Sequence, residues 1–175
     1  MLLLFQHLTR AEASSPLAKL VEPWNGLYSD SKAVATTVMF FHLVPLLIAG
    51  GAALTADRAT IRASRASLED RARQLGELAR THAIVLVGLA LSFISGVLLF
   101  LSDVDEFLGS PWFWVKLGFV GLLLVNGFVM TRTERALANG GDPGVLWGRL
   151  RTVSLLSLTL WIATTLVGVA LTNYA

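Results

Sequence analysis

Residues 33–54 read AVATTVMFFHLVPLLIAGGAAL and contain no formally charged side chain. A helix of this length, rising about 1.5 Å per residue, reaches across the roughly 30 Å hydrocarbon layer of a bilayer. Three comparable stretches follow, at residues 83–102, 112–131 and 152–172. The pattern predicts an all-α polytopic membrane protein whose domain at 33–175 is an antiparallel up-down four-helix transmembrane bundle.

The composition of the chain narrows the classes of function. Hydrophobic residues make up 54% of the sequence and charged residues 15%, which is too apolar for an ordinary soluble domain. A net charge of +2 without a basic patch argues against nucleic acid as a partner. The chain has no cysteine, which excludes thiolate metal sites, iron–sulfur clusters and covalently attached haem. Any metal or haem must therefore be held by histidine, methionine, carboxylate or backbone groups.

Residues 1–32 are predicted to form an amphipathic interfacial segment. Ser15 fits a helix N-cap and Pro16 the first helical position. The apolar residues that follow recur at helical spacing, and they are Leu17, Leu20, Val21 and Trp24. Such a helix lies in the membrane interface or packs on the outer surface of the protein, and the sequence favours neither.

The distribution of charge predicts the topology. Arginines are concentrated in residues 55–82 and 132–151, whereas residues 103–111 carry three acidic residues and no basic one. The positive-inside rule places the arginine-bearing loops in the cytoplasm. We therefore expect a multi-pass protein of the bacterial inner (cytoplasmic) membrane with periplasmic amino and carboxyl termini. Ser67 and Asp70 resemble a capping signal, so the second helix is expected to begin in water before it enters the bilayer.

Small residues at spacings of four mark the faces along which the helices are expected to pack. The second span offers Gly88, Ser92 and Gly96, and the fourth offers Thr164 and Gly168. Small side chains let transmembrane helices approach closely. These faces could serve the bundle itself, a homo-oligomer or a larger membrane complex.

His42 and Lys116 are the two ionisable residues inside the spans, and intramembrane ionisable groups are functional candidates. Both are predicted to lie in the outer leaflet at similar depth. The long stem of Lys116 is expected to carry its ammonium toward Asp103 or Glu106 at the interface. The shorter His42 side chain is expected to face the bundle interior.

Two readings of His42 stay open. Met39 lies one turn earlier on the same face, and imidazole with thioether suits Cu(I), so His42 and Met39 are a candidate copper site. The alternative is a structural histidine that is hydrogen-bonded to Thr164, Thr165 or Asn126. Asn126 is the carboxamide within a span, and it is expected to bond across helices.

Haem b is a further candidate cofactor, with His42 or His82 as a single ligand. Joint ligation is disfavoured because the predicted depths of the two histidines differ by roughly 15–18 Å. The sequence holds no nucleophile-and-base arrangement and no phosphate-binding glycine loop, so the protein is not expected to be an enzyme.

Several motifs together resemble a known group of proteins. They are S-P-L-A-K-L-V at 15–21, F-H-L-V-P-L-L-I-A-G-G-A-A-L-T-A-D-R at 41–58, S-G-V-L-L-F at 95–100 and F-W-V-K-L-G-F-V-G-L-L-L-V-N-G at 113–127. The chain resembles uncharacterised bacterial four-helix inner-membrane proteins that are distantly similar to the copper-resistance D (CopD-like) group. The resemblance implies the fold, the inner-membrane location and a connection to copper or redox chemistry.

Three functions follow as hypotheses from the residues and the resemblance. The first is a small-ligand or copper binding or transport site in the outer leaflet around His42. The second is an accessory subunit of a larger respiratory or photosynthetic membrane complex. The third is a haem b electron-transfer protein.

Overall fold

The computed structural model describes residues 15–174, which form helices joined by short turns and contain no strand. Residues 1–14, where the predicted interfacial segment starts, lie outside the described residues. The helices are α1 Pro16–Leu20, α2 Glu22–Asp30, α3 Lys32–Ala63, α4 Leu68–Ser102, α5 Val104–Gly109, α6 Pro111–Ala138 and α7 Pro143–Tyr174. Four of them (α3, α4, α6 and α7) are long and apolar enough to cross a membrane. The predicted all-α polytopic bundle is confirmed.

All four long helices extend well beyond the predicted spans, and α6 continues past residue 131 to Ala138. α3 continues past residue 54 to Ala63, and α7 begins at Pro143 rather than at residue 152. α4 begins directly after Ser67, whose side chain accepts a hydrogen bond from the Asp70 amide at 3.2 Å, as the capping signal predicted. The added turns contain good helix formers, and they bury residues such as Thr60 and Trp147.

The turn between α6 and α7 has the chemistry that its sequence indicates. Gly140 has a φ of 82°, a backbone conformation that glycine adopts without steric cost. Asp142 then accepts a hydrogen bond from the Gly144 amide at 2.8 Å, beside Pro143 at the start of α7. The acidic segment at the other end of the bundle contains the short helix α5, which the sequence reading did not anticipate.

We name the two ends of the bundle by their charges. The acidic end holds residues 103–110, and the arginine end holds the turns at 64–67 and 139–142. Close backbone packing joins α3 to α4, α3 to α7 and α6 to α7. α4 and α6 lack such extended close approach and meet through side chains. Phe100 stacks on Phe113 at 5.4 Å near the acidic end, and His82 contacts Glu134 at 3.3 Å near the arginine end.

The core consists of two apolar clusters. The middle cluster contains Ala49, Ala53, Leu123, Leu160 and Trp161. The cluster nearer the arginine end contains Ala63, Leu78, Met130, Trp147, Leu150 and Val153. Large apolar side chains also cover the outside of the bundle, and Leu47 is 73% exposed. A surface of this kind suits contact with lipid.

Within residues 15–32, the amino-terminal segment forms two short helices instead of the single helix predicted. The cap of Ser15 is as predicted, because its side chain accepts a hydrogen bond from the Ala18 amide. The helix breaks at Val21, since Pro23 has no N–H to continue the ladder. Trp24 donates its indole N–H to the Leu98 carbonyl at 2.9 Å, which docks α2 on the end of α4.

Candidate functional site

His42 lies on α3 and faces α4. Its Nδ1 atom is 2.9 Å from the carbonyl oxygen of Ser92, and the Ser92 hydroxyl donates to the His42 carbonyl at 2.9 Å. Because a carbonyl oxygen can only accept, this geometry assigns the hydrogen to Nδ1. The Nε2 atom is then left with its lone pair for a ligand.

Pro45 explains part of this arrangement. A proline inside a helix removes the amide that would normally bond the carbonyl four residues earlier, here that of Phe41. The Ser95 hydroxyl lies 3.1 Å from that carbonyl oxygen and 3.4 Å from His42 Nδ1. Two serines of α4 therefore satisfy polar groups around the imidazole.

Lys116 lies on α6 and contributes a positive charge to the same region. Lys116 lies against Gly168 of α7, where an added Cβ atom would be 3.9 Å from both Cε and Nζ of Lys116. The positive charge of Lys116 also interacts electrostatically with the imidazole of His42. The expectation that its ammonium meets Asp103 or Glu106 is wrong. Within residues 15–174, Lys116 forms no ion pair with a carboxylate.

The register of α3 and α7 places these groups at one level. A Cβ atom on Gly50 would lie 3.3 Å from the Trp161 ring, so these two positions face each other. His42 precedes Gly50 by eight residues, and Gly168 follows Trp161 by seven, on an antiparallel helix. His42 and Gly168 are thus level to within about 1.5 Å. We call His42, Ser92, Ser95 and Lys116 the His42 cluster.

Glycines provide space beside the His42 cluster. A Cβ atom on Gly96 would lie 3.2 Å from His42 Cε1, and Gly168 faces Lys116 in the same way. Gly88 instead allows α3 and α4 to pack closely, because an added Cβ atom would lie 2.7 Å from the Ala49 Cβ atom and 2.8 Å from the Pro45 carbonyl oxygen. The small residues of α4 thus face α3 inside the chain.

The candidate copper ligands His42 and Met39 lie on one helix, α3. Met39 is 37% exposed on the outside of α3. Across residues 15–174, no group of three or more His, Cys, Asp or Glu side chains could hold a metal ion. His42 and Met39 remain the pair that the sequence suggested.

The other predicted polar residues are separated from His42. Thr164 and Thr165 bond carbonyl groups of their own helix, and Asn126 donates to the Val153 carbonyl at 3.0 Å, so none of the three is the partner of His42. His42 is level with Ser92, which lies ten residues beyond His82 on α4. That separation is about 15 Å along the helix, too far for both histidines to ligate one haem iron.

A second polar cluster lies nearer the arginine end, and the sequence reading missed it. Asp57 on α3 is 2% exposed. The hydroxyls of Ser154 and Ser157 on α7 approach its carboxylate as hydrogen-bonding groups. His82 and Glu134 act on the same carboxylate from α4 and α6. Asp57 was assigned to a loop, although it continues the spacing of four set by Ala49 and Ala53 on the buried face of α3. That spacing was the available signal.

Comparison with protein-family profiles, curated proteins and solved structures finds no match. The resemblance to CopD-like proteins therefore stays a prediction.

Proposed function

We propose that this integral membrane protein binds a small carboxylic acid at the His42 cluster and has no catalytic role. The observation that carries the proposal is the ammonium of Lys116, which lies inside the bundle beside an imidazole and without an anionic partner in the described chain. An unpaired charge is costly in a membrane, and a carboxylate is its natural counter-ion.

The imidazole supplies the second half of the recognition. With Nδ1 hydrogen-bonded to Ser92, the Nε2 atom accepts a proton. A carboxylic acid entering the site gives its proton to Nε2 and leaves its carboxylate on Lys116. The anion and the proton are bound together, so the charge of the membrane interior changes little.

Copper is supported less well by the same geometry. A Cu(I) ion at Nε2 of His42 would lie beside the positive charge of Lys116, and Met39 is the one soft ligand nearby. Electrostatic repulsion therefore opposes a cation where it favours an anion.

The proposal includes an orientation in the inner membrane. With the arginine end in the cytoplasm, the His42 cluster lies nearer the periplasmic side. The site would then sample solutes from outside the cell.

Calorimetric titration of the purified protein with acetate tests the proposal. We expect saturable binding with uptake of one proton per acetate, measured by repeating the titration in buffers of different ionisation enthalpy. Lys116→Gln should weaken binding by about tenfold to a hundredfold, since it removes the charge-assisted partner. His42→Gln should abolish the proton uptake. Lys32→Gln changes an exposed lysine at the start of α3 and serves as the matched control.

Two results would contradict this function. The first is acetate binding that is equal in Lys116→Gln and wild type. The second is stoichiometric Cu(I) binding that His42→Ala removes, in a protein that ignores acetate. A Soret band in the purified protein would favour haem b instead.

The accessory-subunit hypothesis has less support from the described helices. Gly88 and Gly96, which were candidates for docking, contact α3 within the chain. A stable partner recovered from native membranes by affinity purification would revive that hypothesis.

A further inference from the structure

The Asp57 region contains more buried acceptors than the chain satisfies. Asp57 is 2% exposed, and the hydroxyls of Ser154 and Ser157 approach its carboxylate, but within residues 15–174 its Oδ2 atom has no hydrogen bond of normal geometry. Ser154 is fully buried, and its Oγ atom likewise lacks a hydrogen bond of normal geometry. Asn126 is anchored on the Val153 carbonyl, one residue from Ser154, and its Oδ1 atom is buried without a partner. Buried polar groups in proteins are rarely left unpaired.

The charges around Asp57 do not balance it. His82 and Glu134 act on its carboxylate, but they pair with each other at 3.3 Å. Arg58 follows Asp57 in sequence yet is exposed on the outside of α3, and Arg151 on α7 forms no ion pair with Asp57.

The geometry points to a site for a small monovalent cation between α3 and α7, formed by Asp57, Ser154 and Ser157. Carboxylate and hydroxyl oxygens are the ligands that hard cations prefer. One carboxylate without a counter-charge calls for a single positive charge. The amide oxygen of Asn126 on α6 is a further neutral acceptor, held beside this turn of α7 by the bond from the Asn126 amide to the Val153 carbonyl. This site is independent of the proposed function, because the middle apolar cluster separates it from the His42 cluster.

Equilibrium binding of radioactive Na⁺ to the purified full-length protein, at mildly alkaline pH, tests the inference. We expect about one Na⁺ per chain, displaced by unlabelled Na⁺ and not by choline. Asp57→Asn keeps the shape of the side chain and should weaken binding by roughly 100-fold, because it removes the charged ligand. Ser154→Ala should weaken binding while leaving the carboxylate in place. Asp142→Asn changes an exposed aspartate at the same end of the bundle and should bind as wild type does.

Each result decides the inference. Absence of saturable Na⁺ binding to wild type would overturn it and leave Asp57 as a proton-binding or water-bonded group. Equal binding in wild type and Ser154→Ala would overturn it as well, and this comparison holds even if Asp57→Asn fails to fold. Loss of binding in Asp57→Asn and Ser154→Ala, with Asp142→Asn unaffected, would establish the site.

Discussion

At the scale of single residues, the hydrogen bonds of His42 determine which nitrogen of its imidazole is available to a ligand. His42 exchanges two hydrogen bonds with Ser92, each 2.9 Å long, and this fixes both the ring orientation and the tautomer. A histidine held in this way presents one defined nitrogen to a ligand. In the proposed carboxylic acid site, the charge of Lys116, rather than a second metal-ligating group, sets the kind of ligand that we expect to bind.

Gly96→Ala tests how tightly the imidazole is positioned. The new Cβ would lie 3.2 Å from His42 Cε1, so the ring must shift by a few tenths of an ångström against its bond to Ser92. We expect acetate affinity to fall by roughly threefold to tenfold, the equivalent of about one weakened hydrogen bond.

The matched control for this change is Gly127→Ala on α6, where an added Cβ meets nothing within 4 Å. Its acetate affinity should match wild type. Unchanged affinity in Gly96→Ala would mean that the imidazole takes no part in binding.

At the scale of helices, the crossing of α3 and α4 is the tightest contact between two long helices that the glycines reveal. Gly88 lies where an added Cβ would come within 2.7 Å of the Ala49 Cβ atom and 2.8 Å of the Pro45 carbonyl oxygen. One of these atoms belongs to the backbone, so the clash cannot be relieved by rotating a side chain. The two helices would have to move apart.

Gly88→Ala should therefore destabilise the bundle by about 1–3 kcal/mol, the usual cost of overpacking. A lower midpoint of thermal unfolding in detergent is the expected measurement. Gly121→Ala, on a helix face with open space at that position, should be neutral or slightly stabilising. Equal midpoints for the two variants would show that α3 and α4 do not cross at Gly88.

The helices also show what the sequence could predict and what it could not. The four apolar stretches and the cap at Ser67 were readable because length and capping chemistry are local properties. The hydrogen-bond partner of His42 could not be predicted, because it depends on the register of α3 against α4. The close contact at Gly88 sets that register. The continuation of α3 through Asp57 and Arg58 was missed because both were read as loop charges, although helical geometry places one inside and the other outside.

At the scale of the whole molecule, two polar regions lie at different depths with an apolar layer between them. The His42 cluster is nearer the acidic end, the Asp57 region is nearer the arginine end, and Leu123, Leu160 and Trp161 belong to the layer that separates them. The two proposed ligands therefore have no shared polar route through the described part of the chain. Each site is expected to exchange with its own side of the membrane.

Single cysteines can test the orientation of these two sides, since the chain has no cysteine of its own. Asp105→Cys places a thiol at the acidic end, and Asp142→Cys places one at the arginine end. In intact spheroplasts we expect a membrane-impermeant maleimide to label the first and not the second, because arginine-bearing loops are retained in the cytoplasm. Both should react after the membrane is permeabilised. Labelling of Asp142→Cys alone in intact spheroplasts would reverse the orientation.

The contact between α4 and α6 has a consequence for the motions of the bundle. These two helices are joined by an aromatic stack toward one end and by an imidazole–carboxylate contact toward the other. The other neighbouring pairs of long helices have closely packed backbones. Side chains rotate far faster than whole helices separate. We therefore expect the bundle to open most easily between α4 and α6, in the stretch that separates these two contacts.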